Sequence, residues 1–316
     1  MGIGEAELER AAQLLRQGKL VAFPTETVYG LGADATNDAA VAAIYAAKGR
    51  PKFNPLIAHV GNLAEAQALG VFNSDADRLA RAFWPGPLTL VVPRRADCPV
   101  SMLASAGLAS IALRVPSHVV AQTLIAKSGK PIVAPSANPS GAISPTLASH
   151  VGERLSGRVA MVLDGGPCAV GIESTIVKCM GGEPVLLRPG GIGTSDIETV
   201  LGKPLLLETM KAGRPDAPGQ LEQHYAPRAK VILDVVWPRF DVGLLAFGPQ
   251  VPRHPGPVRN LSASGNLEEA AANLFRMMHE LDEVGVQTIA VMPIPQDGLG
   301  QAINDRLARA AAPFHR

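Results

Sequence analysis

A chain of 316 residues, 47% hydrophobic and 18% charged, is long and apolar enough for two packed domains, which excludes an extended disordered protein. Its 29 basic and 28 acidic residues leave a formal charge of +1, so the broad basic field of a nucleic-acid-coating protein is missing. Aromatic residues make up only 4%, so Ala, Val, Ile and Leu must build the core, a composition suited to buried strands covered by helices.

Residues 5–17 carry Leu8, Ala11, Ala12 and Leu15 at helical spacing and stop at Gly18. A short strand is predicted at 20–23, cut off by Pro24. Asp38 reads as the N-cap of an Ala-rich helix running to about Lys48. Further strands are predicted at 56–60, 88–92, 110–115, 132–134, 159–163, 176–178 and 185–187, with helices near 74–83, 117–127 and 146–154. This alternation predicts an α/β domain over 1–204. Pro, Gly and charge crowd the next stretch, which reads as a linker over 205–228. A smaller α/β unit is expected over 229–316, with strands at 230–235, 243–247 and 288–291 and helices near 266–284 and 299–311.

No run of 18 apolar residues occurs, and the N-terminus shows no basic stretch leading into an apolar one. Cys98, Cys168 and Cys179 lack CxxC spacing and read as reduced buried thiols. A cytoplasmic protein without a membrane span is expected.

Chemistry concentrates in a few segments. PTETVYGLGAD (24–34) follows a strand, and KGRPKFNPL (48–56) follows a helix. Lys48, Arg50 and Lys52 could simply relieve the helix C-terminus, yet Pro51 points to a shaped loop, where alternating cations can straddle a polyphosphate. Gly30, Gly32 and Ala35 match GxGxxA, but the first glycine comes six positions after Pro24, too far for the dinucleotide turn. The glycines are read instead as close backbone approach in a turn. PSANPSG (135–141) is either a capped turn or a ligand loop at a strand end, with Ser136 and Asn138 on one side. Arg114 and Arg188 end apolar strands, where arginine either snorkels to water or joins an anion pocket. ESTI (173–176) adds hydroxyls before a strand. The seven histidines show no metal-ligand spacing, and paired carboxylates suited to acid–base work do not stand out.

PTETVYGLG, KGRP with NPL and His59, WPGPLT (84–89), Arg114, PSAN, GIEST and LLRPG in this order resemble the YrdC-like threonylcarbamoyl-adenylate synthase family. APGQLEQHYAP (217–227) and GLGQAINDRLARAA (298–311) resemble its two-domain members, although Gln220 and Leu221 stand where those members often carry Met-Lys. The resemblance implies a twisted, mixed open α/β sheet plus a smaller C-terminal Rossmann-like three-layer α/β domain. It implies synthesis of threonylcarbamoyl-adenylate and pyrophosphate from ATP, L-threonine and bicarbonate, the first step of N6-threonylcarbamoyladenosine tRNA modification.

On the same footing, Lys48 and Arg50 carry the catalysis. Arg50, Asn54, Ser110, Ser136 and Asn138 bind ATP, as do Ser144, Arg188 and Tyr225. Thr27, His59, Arg114, Ser174 and the backbone at Ala134 hold threonine. Mg2+ arrives with ATP and no protein metal ligand is assigned. The linker is expected to close over the nucleotide, and the product to pass to the tRNA threonylcarbamoyl-transfer machinery with little direct nucleic-acid binding. Two other classes fit parts of the pattern: a tRNA-binding module, disfavoured by the near-neutral charge, and a carbamoyl-phosphate enzyme, which normally carries zinc-finger elements absent here.

Overall fold

The chain is described over residues 3–207, 218 and 224–312 in a computed structural model. The predicted first stripe folds as α1 (Glu5–Arg16), burying Leu8, Ala11, Ala12 and Leu15. β1 (Val21–Phe23) follows, and then β2 (Gly30–Asp34), so the glycines read as a turn lie in a strand antiparallel to β1. A Cβ on Gly32 would stand 2.7 Å from Phe23 Cε1 and 3.1 Å from the Val21 carbonyl oxygen. The close approach is there, but a pleated pair creates it.

α2 (Asp38–Lys48) is capped by Asn37, not Asp38: Asn37 Oδ1 accepts from Ala39 N at 3.0 Å and Ala40 N at 3.1 Å. Asp38 is the first helical residue, where a carboxylate suits the positive end of the dipole, and it also accepts the Ser101 hydroxyl. Beyond it run β3 (Ile57–His59), α3 (Leu63–Leu69), α4 (Ser74–Phe83), β4 (Leu88–Pro93), β5 (Ser110–Arg114), α5 (Val119–Ser128) and β6 (Ile132–Val133). α6 (Ala148–Leu155), β7 (Met161–Val162), β8 (Thr175–Lys178), β9 (Val185–Arg188), α7 (Thr194–Leu201) and β10 (Leu206–Leu207) complete the first unit.

Ten strands form one mixed open sheet in the order β10-β9-β8-β4-β5-β3-β6-β2-β1-β7. β10 pairs with β9 in parallel, so the sheet runs into the stretch read as linker, most of which lies outside the described residues. Helices α2, α3 and α4 pack into the larger core, whereas α1 and α5 cover the sheet through a separate cluster around Phe23, Leu124 and Ile132.

The second unit holds β11 (Lys230–Ile232), β12 (Gly243–Ala246), β13 (Val258–Asn260), α8 (Leu267–Glu283), β14 (Thr288–Val291) and α9 (Gly300–Ala311). Its four strands are all parallel, ordered β11-β14-β12-β13, which is the small α/β layer predicted plus an edge strand. Its core does not stop at the domain boundary. Val28, Ile143 and Ile172 of the first unit join Tyr225 of the connecting stretch and Leu274 and Phe275 of the second unit in one cluster. Among the described residues no helix is long and apolar enough to cross a membrane.

Candidate active site

The sheet itself lines up the first group. His59, the last residue of β3, stands opposite Arg114, the last residue of β5, and opposite Ile132 of β6. On the far side of β5, β4 brings Thr89 level with Ile176, and Ile176 in turn faces Arg188 at the end of β9. His59, Arg114, Thr89 and Arg188 therefore share one level across the sheet, on β3, β5, β4 and β9. Ala134 sits at the other end of β3, where it donates its N–H to the Ile57 carbonyl at 3.1 Å.

Arg114 is buried and its Nη2 donates to Glu26 Oε1 at 2.7 Å and to Thr27 Oγ1 at 2.9 Å. Thr27 Oγ1 also meets Thr25 Oγ1 at 2.8 Å. Burial works against the Glu26 carboxylate, but Arg114 holds it below its ordinary value. His59 is pushed down to about 3 by burial and then by Arg114, so its ring is neutral. Arg114 Nε, Glu26 Oε2 and His59 Nδ1 are buried and have no hydrogen-bond partner.

The cations at the end of α2 do not snorkel outward. Lys48 is 3% exposed and Arg50 7%. Lys48 Nζ donates to the Ser136 carbonyl at 2.6 Å and to the Asn138 carbonyl. Arg50 Nη2 donates to Asn54 Oδ1 at 2.6 Å and to the Pro55 carbonyl at 2.9 Å. Asn138 Nδ2 holds its own loop through the carbonyls of Pro139 and Ala142, at 3.0 and 2.8 Å. Burial, reinforced by Arg50, draws Lys48 well below its usual value, and burial brings Arg50 down to about 10.

GIEST and LLRPG meet through their backbones, because a Cβ on Gly190 would lie 2.4 Å from the Glu173 carbonyl oxygen. That contact seats Arg188 on Ser174: Nη2 donates to the Ser174 carbonyl at 2.8 Å and to its hydroxyl at 3.2 Å. Ser174 Oγ also lies 2.8 Å from Thr89 Oγ1, and Arg188 Nη1 donates to the Pro218 carbonyl at 3.3 Å. Tyr225 is buried beside the PSANPSG loop, tied there by Ala226 N donating to the Gly141 carbonyl at 2.8 Å. The adjacent His224 is pushed well below its ordinary value by burial and by Arg50, Lys48, Arg188 and Arg306. Lys48, Arg50 and Arg188 thus face one another's fields across the His224–Tyr225 step.

Thr27 with Arg114, Ser174 with Arg188, and Lys48 with the backbones of Ser136 and Asn138 are direct contacts among the residues singled out in the sequence. Ser110 opens β5 opposite Pro93, half-buried, at the other end of the strand from Arg114. Ser144 is fully buried and donates to Glu173 Oε1 at 2.5 Å. Gln220 and Leu221 lie outside the described residues, as does most of the expected lid.

Sequence reasoning passed over Glu26, Thr89, Glu173, His224 and Arg306. Each earns its place through a partner distant in the chain, so no local spacing could mark it. The same holds for His150, His279 and Glu283, whose ligand atoms lie within 4.8 Å of one another at the domain interface. His150 Nδ1 accepts the Thr146 N–H at 3.3 Å, which puts its proton on Nε2 and leaves no lone pair there for a cation.

A family model for the Sua5/YciO/YrdC domain, described as "Telomere recombination", matches residues 13–190. A second, described as "Threonylcarbamoyl-AMP synthase, C-terminal domain", matches residues 192–312. The threonylcarbamoyl-AMP synthase of Bacillus subtilis (strain 168) is 41% identical across 98% of this chain and 94% of its own length. That of Pyrococcus abyssi (strain GE5 / Orsay) is 40% identical across 98% and 95%. The crystal structure of P. abyssi Sua5 complexed with L-threonine matches at a TM-score of 0.91 and 39% identity, covering 98% of this chain and 96% of that one.

Proposed function

The chain belongs to the two-domain Sua5/YrdC family of threonylcarbamoyl-AMP synthases, and from that premise we propose that it joins L-threonine, bicarbonate and ATP into threonylcarbamoyl-AMP and pyrophosphate. One observation carries this reading. Lys48, Arg50 and Arg188 are buried, and among the described residues no carboxylate lies within ion-pair distance of any of them. Three buried cations satisfied only by neutral acceptors are costly, and a polyphosphate would neutralise them.

Threonine's amine takes up bicarbonate with loss of water to give an N-carboxy anion. That anion attacks the α-phosphorus, the bond to the β-phosphate oxygen breaks, and pyrophosphate leaves. The attacking oxygen is already charged, so the protein's part is positioning and charge neutralisation. Arg50, Asn54, Ser110, Ser136 and Asn138, with Ser144, Arg188 and Tyr225, serve the nucleotide, and Lys48 holds the 136–138 backbone against it. Mg2+ enters as part of the ATP substrate.

Thr27, His59, Arg114, Ala134 and Ser174 serve threonine. The three unpartnered atoms around Arg114 support this: a guanidinium donor for the carboxylate and two acceptors, on Glu26 and His59, for the ammonium and hydroxyl. Residues 1–204 carry the chemistry, 205–228 connect the units, and 229–316 form the second domain. The product goes to the enzymes that transfer the threonylcarbamoyl group to tRNA. Incubation with ATP, Mg2+, bicarbonate and labelled threonine tests the reading. Pyrophosphate must appear only when both threonine and bicarbonate are present; release independent of either would refute it.

A further inference from the structure

Ser144 is reached from the second domain directly at its carbonyl and through Glu173 at its hydroxyl. His279 of α8 approaches its carbonyl with Nε2 at 3.2 Å. The Ser144 hydroxyl donates to Glu173 Oε1 at 2.5 Å, and Glu173 Oε2 accepts Arg306 Nε of α9 at 2.7 Å. Arg306 is 0% exposed, an expensive position for a guanidinium unless every contact is made. It makes them: Nη1 donates to Asp305 Oδ2 at 2.6 Å, Nη2 to the Pro189 carbonyl at 3.0 Å, and Cζ lies 5.2 Å from the Tyr225 ring centroid. Pro189 directly follows Arg188 and Glu173 directly precedes Ser174, so one guanidinium pins both loops that carry the site.

We propose that the second domain sets the nucleotide site through Arg306, a positioning residue that locks Glu173 and so aims the Ser144 hydroxyl. The inference rests on the reading of Ser144 as an ATP contact. Glu173 is a carboxylate within the field of Lys48 and Arg188. Left unpaired there, it would repel the phosphates or turn toward one of those cations, carrying Ser144 out of line. Arg306 prevents both by supplying the opposite charge and by fixing the carboxylate's place through a fork that also holds the Pro189 carbonyl, which a lysine could not reproduce. Because the contact comes from α9, it exists only when the second domain is docked.

Calorimetric titration of the full-length protein with ATP–Mg2+ and, separately, with L-threonine tests this on R306A, R306K, S144A and the R306A/S144A double variant. The Ser144 hydroxyl gives its proton to Glu173 and so meets the nucleotide as an acceptor; R306A and R306K weaken ATP binding roughly tenfold, the size of one lost hydrogen bond, and weaken threonine binding less. The double variant loses no more than the worse single one, since both act on one contact. Unchanged ATP binding in R306K, equal weakening toward both substrates, or additive losses in the double variant would overturn the proposal. R306K keeps a cation in the pocket and decides the matter if R306A does not fold. Wild-type protein that binds no ATP would sink the nucleotide reading itself, a different result from variants that bind as wild type does.

Discussion

Arg114 and Glu26 form an ion pair of 2.7 Å with side chains only 5% and 8% exposed, while one oxygen of the carboxylate and the arginine Nε stay unpartnered. A pair so deeply buried is retained for what it presents rather than for stability, because burying two charges nearly cancels their attraction. Arg114→Lys keeps the charge opposite Glu26 and removes the fork. A hydrogen bond to a charged group is worth about 1.5–3 kcal/mol, so threonine affinity falls roughly 10- to 100-fold. Arg114→Ala adds a second effect, leaving Glu26 a buried unpaired carboxylate at a cost of about 3–5 kcal/mol. Threonine titration and thermal melting separate the two; a lysine variant that binds threonine as tightly as wild type removes Arg114 from the site.

Lys48 supplies a pH signature. Burial and Arg50 depress its pKa, so the free protein favours the neutral amine more than an ordinary lysine does. Phosphate oxygens nearby favour the ammonium, so the pKa rises when ATP binds. Binding therefore takes up a proton, and affinity increases as pH falls from the ordinary lysine range toward the depressed value. Calorimetry in buffers of different ionisation enthalpy reads the uptake directly. It should vanish in Lys48→Met. Proton release or no exchange in the wild type contradicts the assignment.

The strands that build the site were legible because each is a short apolar run ending at a polar residue: Arg114 and Arg188 mark the ends of β5 and β9. β2 was missed because its Gly30-Leu31-Gly32 looks like a turn, and only the fit against Phe23 makes those glycines a strand. Lys48 and Arg50 could equally have been helix-end cations, and it is their burial that decides. Glu173 illustrates the limit. Its partners Ser144 and Arg306 lie 29 and 133 positions away, so the triple exists only after two domains have packed.

The domain interface should weaken in mild acid. His150 and His279 stack with ring centroids 3.9 Å apart and are held neutral, at about 4 and about 3, chiefly by burial. Arg154 and Arg276 face the pair and oppose its protonation, while Glu280 and Asp282 favour it. An ordinary histidine titrates near 6.5, so between about 6.5 and 4 the unfolded chain binds more protons than the folded one. Stability is therefore full above about 6.5 and declines as pH falls through that window. His279→Gln, which keeps a donor for the Ser144 carbonyl, should flatten the slope of melting temperature against pH. An unaltered slope would mean other groups govern it.

Asp282 gives the sharpest structural test of the docked arrangement. Its side chain is 0% exposed, and Oδ1 accepts from Arg228 N at 2.7 Å and Ala229 N at 3.2 Å. Oδ2 takes Arg154 Nη2 at 3.2 Å and Arg228 Nε at 3.1 Å, so one carboxylate ties α6 of the first unit to the start of β11. Asp282→Ala strands the Arg154 charge and two main-chain donors together, a loss of about 3–5 kcal/mol. Part of that falls on docking, because Oδ2 holds Arg154 of the first unit. The variant should then melt in two calorimetric steps where the wild type melts in one, and its ATP affinity should drop along with the docking. Two-step melting with ATP affinity intact would show that the first unit assembles its nucleotide site without the second.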